Sequence, residues 1–429
     1  MIKKLLIVLI ILLLPNKTFA QDLIKTLSDA FENNSKLNAE RASYKASRQD
    51  VNISKGEFLP SVTLSGDLAS QENSKRTDQT GTKLADSSSS PETQSILIEQ
   101  KIFDGFGNYN SLKKSQLELR HAKFKLDKLE QEILLDAANA YYSLGYSFKN
   151  LEFNTLNFEL FERQVESDRA RLERGEISLT DFAQSESSLA GAQAKLITAR
   201  NELVSGQKNF QKIIGSKAPD DIDLAFFPNL NIPSSLSTAT SIAEQINPRL
   251  NLAKLDLEIA KKNLFIARGD LSPSAKVSYS LKKNQDLSST VDERDQEEIK
   301  ATITWPIFDG GKNLSSVKKA KFKLEEKQLN YDDIYSQVQI ETANAWTAYS
   351  ASKGILDATE AQLKAAEIAN EGITLEYDTG NQRTTLEVIQ SRTLLLESRT
   401  SYAKAQKDFA IAQFNLLASI GDLYLDNIK

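Results

Sequence analysis

Two long segments of the chain carry an apolar residue at every seventh position. The first set is Leu112, Leu119, Leu126, Ile133 and Ala140, and the second set is Val317, Leu324, Tyr331, Val338 and Ala345. An ordinary amphipathic helix also buries one apolar stripe, but a heptad kept over five repeats with charged residues between favours a coiled-coil-like seam. The pattern therefore predicts two very long helices that pack against other helices along their length.

Proline placement allows helices of that length. The nine prolines are Pro15, Pro60, Pro91, Pro219, Pro228, Pro233, Pro248, Pro273 and Pro306. Because proline interrupts a helix, the proline-free stretches 92–218 and 307–429 can hold long helices. Within them, segments 108–174 and 313–379 each contain 67 residues, about 100 Å of α-helix. The helices predicted on either side are about half as long, so two of them laid end to end match one long helix.

Two other segments, 60–103 and 273–306, change from a helical period to alternation. The alternating apolar positions are Val62, Leu64, Gly66 and Leu68, then Ile96, Ile98 and Ile102, then Ala275, Val277, Tyr279 and Leu281, and finally Ile299, Ala301, Ile303 and Trp305. This pattern predicts four strands of about nine to eleven residues, each with one apolar and one polar face. Such strands suit a membrane-spanning sheet or a half-buried sheet of a small soluble domain, and alternation leaves both open.

The segments around these strands favour the membrane alternative. The connections 70–93 and 283–297 are almost entirely polar, which is typical of surface loops. The aromatic residues at the strand ends nearest the helices, which suit an interfacial belt, are Phe58, Phe103, Trp305 and Phe308. Four strands do not close a barrel, so a membrane-spanning sheet would need further copies of the chain to cover its edges.

The sequence also contains an internal duplication. Phe58-Leu59-Pro60 matches Leu271-Ser272-Pro273 at an offset of 213, and Ile102-Phe103-Asp104-Gly105 matches Ile307-Phe308-Asp309-Gly310 at an offset of 205. Gly175 matches Gly380 at the same offset of 205. Glycine can take the left-handed conformation that ends a helix, so these two positions predict helical hairpins.

The first twenty residues match a secretory signal peptide. Lys3 and Lys4 precede an apolar run from Leu5 to Leu14, and small residues lie just before the predicted mature start at Gln21. No later segment has the roughly 18 apolar residues that a spanning helix needs. An exported chain of this kind that enters a membrane would therefore do so as a β-barrel.

These patterns predict four segments. They are a signal peptide at 1–20, a first repeat at 21–215, an inter-repeat linker at 216–240 and a second repeat at 241–429. The first repeat holds a helix, two strands within 60–103 separated by a surface loop, a long helix, the hairpin at 175 and a returning helix. The second repeat holds strands within 273–306, a long helix, the hairpin at 380 and a returning helix.

Composition argues against an enzyme. The 429 residues include no Cys and one His, which excludes disulfides, thiolate metal sites and thiol nucleophiles. His121 lies in a lysine-rich helical stretch, where a solvated helix-face residue is the stronger interpretation. A net charge of -5 argues against a nucleic-acid partner. We therefore expect no catalytic, cofactor-binding or metal-binding residue.

The order of several short motifs points to a family. They are the junctions Ile102-Phe103-Asp104-Gly105 and Trp305-Pro306-Ile307-Phe308-Asp309-Gly310-Gly311, the segment Leu59-Pro60-Ser61, the Asn-Ala-aromatic pair at 139–141 and 344–346, and the glycine-containing hairpins. In this order, and with the duplication, the chain resembles the TolC-type outer-membrane efflux proteins, the outer membrane factor family, over essentially its whole mature length.

The resemblance implies an α+β, mainly α fold. Long coiled-coil-like helical hairpins would form an α-barrel tunnel, and four β-strands per chain would contribute to a trimeric 12-stranded transmembrane β-barrel. It implies a passive homotrimeric exit duct of a tripartite efflux or type I secretion system in the outer membrane of a Gram-negative bacterium, extending into the periplasm. The implied partners are a periplasmic adaptor (membrane fusion) protein, an inner-membrane pump or ABC transporter, and outer-membrane lipid. The alternative is an exported structural coiled-coil protein of the periplasm or cell surface.

The resemblance also assigns site residues. The periplasmic aperture, which would gate the duct, comprises Thr180, Asp181, Tyr377, Arg383, Glu387 and Gln390. The hairpins that contact the adaptor are marked by Gly175 and Gly380. The barrel–tunnel junction comprises Pro60, Phe103, Asp104, Gly105, Pro273, Pro306, Phe308, Asp309 and Gly310. Two features depart from the family pattern: the second hairpin is one residue longer than the first, and Gln390 replaces a second acidic residue.

Overall fold

The computed structural model describes residues 19–288, 291–379 and 383–428. Residues 1–18 of the predicted signal peptide, and Gly380 of the second predicted hairpin, lie outside the described residues. The helices are α1 (Phe19–Asn33), α2 (Ser35–Gly56), α3 (Gly107–Glu173), α4 (Leu179–Ile214), α5 (Leu236–Ile246), α6 (Pro248–Gly269), α7 (Lys312–Asp378) and α8 (Thr385–Ile420). The strands are β1 (Ser61–Leu68), β2 (Gln71–Asn73), β3 (Ser87–Ser89), β4 (Glu92–Asp104), β5 (Ser274–Ser288) and β6 (Val291–Thr304).

The long helices have matched lengths. Both α3 and α7 contain 67 residues, and both α4 and α8 contain 36. The heptads and the absence of proline account for the length of these helices. No residue within them lacks the backbone N–H that an α-helix needs. The mainly helical α+β fold class predicted from the sequence is confirmed.

The four long strands form one antiparallel sheet in the order β1-β4-β5-β6. Its central pair, β4 and β5, joins the two repeats. Ile98 pairs with Val62 on one side and Tyr279 on the other, and Tyr279 pairs with Ile299. Because directly paired residues point to the same side of a sheet, the alternating apolar positions share one face along β4 as far as Gln100. A register shift between Lys101 and Phe103 then brings Phe103, and not Ile102, opposite Ala275 on that face.

Two of the predicted loops contain strand. The predicted loop 283–297 is largely strand, since β5 runs to Ser288 and β6 starts at Val291; that part of the prediction was wrong. The reason is that backbone pairing continues beyond the apolar alternation, for example where Lys283 pairs with Asp295. In the other loop, the short strands β2 and β3 form a separate two-stranded sheet.

The chain divides into two compact units, and each contains parts of both repeats. One unit comprises Ala42–Lys123 and Leu252–Asp333, which include the four-stranded sheet and the strand-to-helix junctions. The other comprises Met1–Arg41, Phe124–Asn251 and Ile334–Lys429, which include both helical hairpins.

The core of the hairpin-containing unit includes a cluster of aromatic rings. Tyr141, Tyr142 and Phe414 are fully buried. The rings of Tyr141 and Tyr142 meet edge to face with their centroids 5.3 Å apart, and the Tyr142 and Phe414 centroids lie 6.2 Å apart. These contacts join α3 to α8, which are distant in sequence.

The segment between the repeats packs against α3. Ile222 and Leu224 are buried, and a Cβ atom added to Gly145 of α3 would lie 2.8 Å from the Ile222 side chain and 2.9 Å from that of Leu224. The Tyr142 hydroxyl donates a hydrogen bond to the carbonyl oxygen of Phe226 at 3.0 Å. A residue larger than glycine at position 145 would therefore displace this segment.

Within the described ranges, 19–288, 291–379 and 383–428, no helix combines the length and the apolar content needed to cross a membrane.

Candidate functional site

The first helical hairpin consists of α3, α4 and the turn between them. Gly175 has φ +73°, and its amide donates to the Leu172 carbonyl at 2.9 Å. The next amide, that of Glu176, donates to the Arg171 carbonyl at 2.9 Å. This pair of bonds is a Schellman motif, which satisfies the last carbonyls of α3 and needs a left-handed residue at the position of Gly175.

Helix α4 begins with a capping box. The Asp181 amide donates to the Ser178 hydroxyl at 3.2 Å, and the Asp181 carboxylate accepts from the Ser178 amide at 3.1 Å and from its hydroxyl at 2.7 Å. The hydroxyl bond, followed by the amide bond, lowers the pKa of Asp181 below its usual value. Asp181 is therefore a carboxylate at neutral pH, and Thr180 lies exposed beside it in the first turn.

The second helical hairpin consists of α7, α8 and the residues between them. Helix α8 begins with the same device: the Glu387 amide donates to the Thr384 hydroxyl at 3.3 Å, and the Glu387 carboxylate accepts from the Thr384 amide at 2.8 Å. That backbone bond, with a further bond from Arg383, lowers the pKa of Glu387. Gln390 lies exposed on α8, three residues after Glu387.

Arg383 makes two ion pairs inside the second hairpin. Its Nε lies 2.6 Å from the Glu376 carboxylate on α7, and its Nη1 lies 2.9 Å from the Glu387 carboxylate on α8. These two partners raise the pKa of the guanidinium. All three side chains are solvent-accessible, so water and salt weaken both pairs.

Tyr377 belongs to a buried network that crosses between the two hairpins. Its hydroxyl lies 3.0 Å from the Asp168 carboxylate on α3 and 3.1 Å from the Thr385 hydroxyl on α8. Asp168 has no exposed surface, and its other carboxylate oxygen accepts a hydrogen bond from the Ser185 hydroxyl on α4 at 2.5 Å. Asp168 thus joins helices α3, α4 and α7 at one carboxylate.

Gln164 extends this network to α8. Its amide nitrogen donates to the Asp168 carboxylate at 2.9 Å, and its amide oxygen accepts from the Arg392 guanidinium at 3.1 Å. Arg392 also donates to the Leu160 carbonyl at 3.2 Å. Burial lowers the pKa of Arg392, and these two acceptors on α3 compensate for part of the water that it loses.

A polar cleft of about 660 Å³, open to solvent, lies between the two hairpins. It is lined by Arg171, Gly175, Glu176, Ile177, Ser178, Asp181, Tyr377, Arg383, Thr384 and Thr385. Three of the predicted aperture residues, Asp181, Tyr377 and Arg383, therefore face one space. The Arg171 guanidinium lies over the Tyr377 ring, 4.4 Å from its centroid.

Sequence reasoning missed Asp168, Gln164 and Arg392. One signal could have found the first of them: continuing the α3 heptad from Leu112 in steps of seven residues reaches Phe161 and then Asp168. A carboxylate at a seam position must find partners on the facing helices. Its partner Tyr377 is 209 residues away in sequence.

The two strand-to-helix junctions, residues 103–108 and 308–313, are built alike. Asp104 accepts a hydrogen bond from the Asn108 amide at 2.6 Å, and Asp309 accepts one from the Asn313 amide at 2.8 Å. The Asn108 side chain donates to the Glu57 carbonyl at 3.2 Å, and the Asn313 side chain donates to the Asp270 carbonyl at 3.1 Å. Each junction thus ties the start of a long helix to the end of the short helix before the strands.

One junction has almost no free space. Gly105 has φ +66°, and a Cβ atom there would lie 2.4 Å from the Gly269 carbonyl oxygen and 2.8 Å from the Ser272 Cβ atom. Gly310 has φ +69°, but nothing lies within 4 Å of an added Cβ atom. The two equivalent glycines therefore share a backbone conformation and differ in their surroundings.

The remaining junction residues lie at strand ends. Pro60 precedes β1, Pro273 precedes β5 and Pro306 follows β6. The Phe103 ring meets the Phe106 ring edge to face with centroids 5.5 Å apart, whereas Phe308 is 87% exposed.

His121 of α3 lies beside a carboxylate of α6 in the sheet-containing unit. Its Nε2 lies 3.3 Å from Asp256, which also lies 3.0 Å from the Lys327 ammonium. In the part of the chain that the structure describes, no group of three or more His, Cys, Asp or Glu side chains is placed to hold a metal ion.

The family model for outer membrane efflux proteins matches residues 26–216 and 239–422. The chain is 26% identical to the outer membrane efflux protein BepC of Brucella suis biovar 1 over 95% of this chain and 87% of BepC. It is 24% identical to the outer membrane protein TolC of Vibrio cholerae over 96% of this chain and 93% of TolC. It is 21% identical to the alkaline protease secretion protein AprF of Pseudomonas aeruginosa over 94% of this chain and 85% of AprF.

Solved structures show the same fold. The Campylobacter jejuni CmeC outer membrane channel superposes with a TM-score of 0.83 at 15% identity, covering 94% of this chain and 86% of CmeC. The Vibrio cholerae outer membrane protein VceC superposes with a TM-score of 0.79 at 18% identity, covering 93% of this chain and 96% of VceC.

Proposed function

Because the chain belongs to the outer membrane efflux protein family and is a protein of the outer membrane, we propose that it is a passive, trimeric exit duct gated at the tips of its helical hairpins. It would serve a tripartite efflux system or a type I secretion system. Its relatives include the outer membrane efflux protein BepC and the alkaline protease secretion protein AprF, which support both alternatives.

The observation that carries this proposal is the sheet. Its apolar face is exposed in the single chain: Leu64, Ile299 and Ile303 are each 77% exposed. Its outer strands, β1 and β6, each have a neighbour on one side only. An exposed apolar face suits lipid, and edge strands in lipid must pair with something. Three copies joined from β1 to β6 would give the 12-stranded transmembrane barrel that the family resemblance implies.

The charges at the hairpin tips suit a narrow, polar opening. Asp181 and Glu387 are carboxylates at neutral pH because hydrogen bonds lower both pKa values. We place the aperture at Thr180, Asp181, Tyr377, Arg383, Glu387 and Gln390. Because Gln390 adds no charge, Asp181 and Glu387 would carry the attraction for cations at the aperture.

The hairpins are also where partners would dock. The hairpins marked by Gly175 and Gly380 would contact a periplasmic adaptor protein, and an inner-membrane pump or ABC transporter would supply the energy. The duct itself would need no cofactor and perform no reaction.

The direct test is conductance of the purified protein in planar lipid bilayers. Wild type should conduct weakly, and the combined variant Asp168→Asn, Tyr377→Phe, Arg383→Ala should conduct strongly, because it removes the Arg383 ion pairs within the second hairpin and the bond between Tyr377 and Asp168 that joins the hairpins. Absence of conductance from both proteins would overturn the proposal.

Cell fractionation distinguishes the membrane duct from the alternative function. The duct should appear in outer-membrane fractions as a detergent-resistant trimer, and crosslinkers placed at the hairpin turns should capture the adaptor. Recovery as a soluble protein would instead favour an exported structural coiled-coil protein.

A further inference from the structure

The two hairpins of the sheet, β1–β4 and β5–β6, are built alike residue by residue. In the first, Val62 pairs with Ile98. The duplication moves the first strand of a hairpin by 213 residues and the second by 205, so these positions become Ala275 and Ile303. Those two residues pair with each other in the second hairpin. The duplication therefore preserves the strand register, and equivalent positions have equivalent neighbours.

The pairing of β4 with β5 joins the two repeats of one chain. The strands equivalent to β4 and β5 are β6 and β1, which are the two outer strands of the sheet. Within one chain these outer strands lie three strand spacings apart, about 14 Å, and so do not pair with each other. Pairing β6 with β1 of a second copy would repeat the β4–β5 contact and continue the sheet.

The offsets of the duplication also give the register of that contact. The directly opposite residues would be Leu64 and Trp305, Gly66 and Ile303, and Leu68 and Ala301. All six belong to the alternating apolar positions, and the large side chains among them are exposed in the single chain. A slip by one residue would bring apolar positions opposite polar ones.

Charged residues on the polar face fit the same register. The Lys276 ammonium of β5 bonds to the Glu99 carboxylate of β4 at 2.8 Å, two residues along β4 from its direct partner. Asp67 of β1 and Lys300 of β6 would stand in the same diagonal relation between copies, with the two charges exchanged. Both side chains are exposed, and in the described part of the chain neither forms an ion pair.

The glycines beside the sheet give an independent observation. Gly105 approaches Gly269 so closely that a Cβ atom on Gly105 would lie 2.4 Å from the Gly269 carbonyl oxygen. Moved to the other repeat, these two positions become Gly310 and Gly56, and nothing lies within 4 Å of an added Cβ atom at either one. Gly56 does not have a positive φ, so its own chain gives no reason for glycine there. A second copy in the repeated register would bring Gly56 against Gly310 and supply that reason.

We propose that β6 of one copy pairs with β1 of the next in the register of β4 and β5, with Lys300 bonded to Asp67 and Gly310 packed against Gly56 across the contact. This rests on the proposed function, which requires copies of the chain to join but leaves their register and their side-chain contacts open. The contact between copies thus repeats the contact between the two repeats of one chain.

The first test is disulfide crosslinking, because the chain has no cysteine of its own. Directly opposite residues of antiparallel strands have Cα atoms about 4.5–5.5 Å apart, which suits a disulfide. Two double variants, Gly66→Cys with Ile303→Cys and Ser65→Cys with Thr304→Cys, sample both kinds of residue pair that alternate along such a ladder. Oxidised in outer-membrane fractions with copper phenanthroline, both should give covalent trimers.

The matched controls use registers that slip by two residues and so keep the apolar face intact. They are Gly66→Cys with Ala301→Cys and Gly66→Cys with Trp305→Cys. Residues two positions out of register lie about 7–8 Å apart, so each control should give at least about tenfold less covalent trimer. More covalent trimer from a control than from the directly opposite pairs would overturn the proposed register.

The second test concerns the glycine contact. Gly56→Ala and Gly310→Ala should each speed dissociation of the trimer in SDS about tenfold or more, because all three contacts of the ring lose their close packing. Gly81→Ala is the matched control for Gly310→Ala, since Gly81 also has a positive φ and open surroundings but lies between β2 and β3. Equal dissociation rates for Gly310→Ala and Gly81→Ala would contradict the contact. Unfolding of the chain reports contacts inside it, whereas dissociation reports contacts between copies.

The third test reverses the charges. Asp67→Lys and Lys300→Asp should each speed dissociation about fivefold, and the double variant should return to within about twofold of wild type, because it restores an attraction at each contact. Lys282→Asp makes the same change of charge as Lys300→Asp on the inner strand β5 and should leave the rate nearly unchanged. A double variant that dissociates faster than either single variant would contradict the ion pair.

The results also distinguish this inference from the proposed function. If the protein conducts in bilayers but the control cysteine pairs crosslink in preference to the directly opposite ones, the duct stands and the register is wrong. If the directly opposite pairs crosslink but neither wild type nor the combined hairpin-tip variant conducts, the contact between copies stands and the duct is wrong.

Discussion

The strand-to-helix junctions and the hairpin tips each occur twice in the chain. The two junctions share their side-chain hydrogen bonds to backbone carbonyls, whereas the two tips differ in their side-chain contacts. Asn108 and Asn313 donate to equivalent carbonyls, those of Glu57 and Asp270. At the tips both returning helices start with a capping box, but only the second adds an arginine that bridges two carboxylates.

The difference follows from the kind of acceptor. At the junctions the Asn, Gln and Trp side chains donate to backbone carbonyls, which every residue provides, so even dissimilar side chains make the same bond. The Gln100 side chain donates to the Phe58 carbonyl at 3.2 Å, and the Trp305 indole donates to the equivalent Leu271 carbonyl at 3.1 Å. At the second tip the acceptors of the arginine bridge are side-chain carboxylates, so one substitution creates or removes a contact. Contacts to backbone preserve a duplicated architecture, and contacts to side chains let its copies specialise.

The largest expected effect concerns the two junction glycines, whose surroundings within the chain differ although their backbone conformation is the same. Alanine at either position has to adopt a positive φ, which costs about 1–2 kcal/mol. Gly105→Ala also places a Cβ atom 2.4 Å from the Gly269 carbonyl oxygen, so we expect a total cost of about 3 kcal/mol or more. Gly310→Ala should cost only ~1 kcal/mol, because nothing lies near its Cβ atom. Thermal unfolding of the detergent-solubilised proteins measures both.

Equal losses for the two glycine variants would contradict the prediction, because they would show that the close approach of Gly105 and Gly269 carries no additional cost. Gly269→Ala provides an independent check from the other side of the contact, since its Cβ atom would lie 2.8 Å from the Gly105 carbonyl oxygen.

The next test concerns the two capping boxes. Removing a cap hydroxyl usually costs about 1 kcal/mol of stability. Ser178→Ala should show the full cost, whereas Thr384→Ala should cost less, because Arg383 continues to hold Glu387 at 2.9 Å. Unfolding midpoints of the two variants measure the difference. Ser188→Ala is the matched control, since its hydroxyl bonds to the Gln184 carbonyl inside α4 and its removal should be nearly neutral.

Smaller and equal effects are expected where the junctions agree. Asn108→Ala and Asn313→Ala each remove one side-chain bond to a backbone carbonyl, and we expect each to cost ~1 kcal/mol. If the two losses of unfolding free energy, measured in the same denaturation assay, agree within a few tenths of a kcal/mol, the two junction contacts are energetically equivalent. A loss at one junction that is several times that at the other would show that the two contacts are not equivalent.

The smallest effect is the pH dependence of the tips. Hydrogen bonds lower the pKa values of Asp181 and Glu387 in the folded chain. The unfolded chain therefore binds protons more readily, and the stability from these carboxylates is present at neutral pH and is lost as pH falls below about 4. Unfolding midpoints between pH 7 and pH 3 should fall less steeply for Asp181→Asn and Glu387→Gln than for wild type. Identical slopes in all three proteins would contradict this account.

Local patterns predicted the elements well and the tip network poorly. Heptads and missing proline predicted α3 and α7, because a helix depends on neighbours in sequence. Alternation predicted the four strands but underestimated β5 and β6, which continue through charged residues because backbone pairing tolerates them. Tyr377 was identified through the family resemblance, whereas its partner Asp168 depends on bringing α3 and α7 together across 209 residues, which no local pattern encodes.

The free edges of the sheet have a genetic consequence. Strands β1 and β6 are the outer strands of every copy, so in the proposed trimer each chain relies on both neighbours for pairing. A chain whose edge strand cannot pair would still assemble with wild-type chains. It would leave one edge of the shared barrel unpaired, so the whole trimer would fail. Co-expressed with wild type, an edge-strand variant should therefore act as a dominant inhibitor, whereas a variant too unstable to assemble should be recessive.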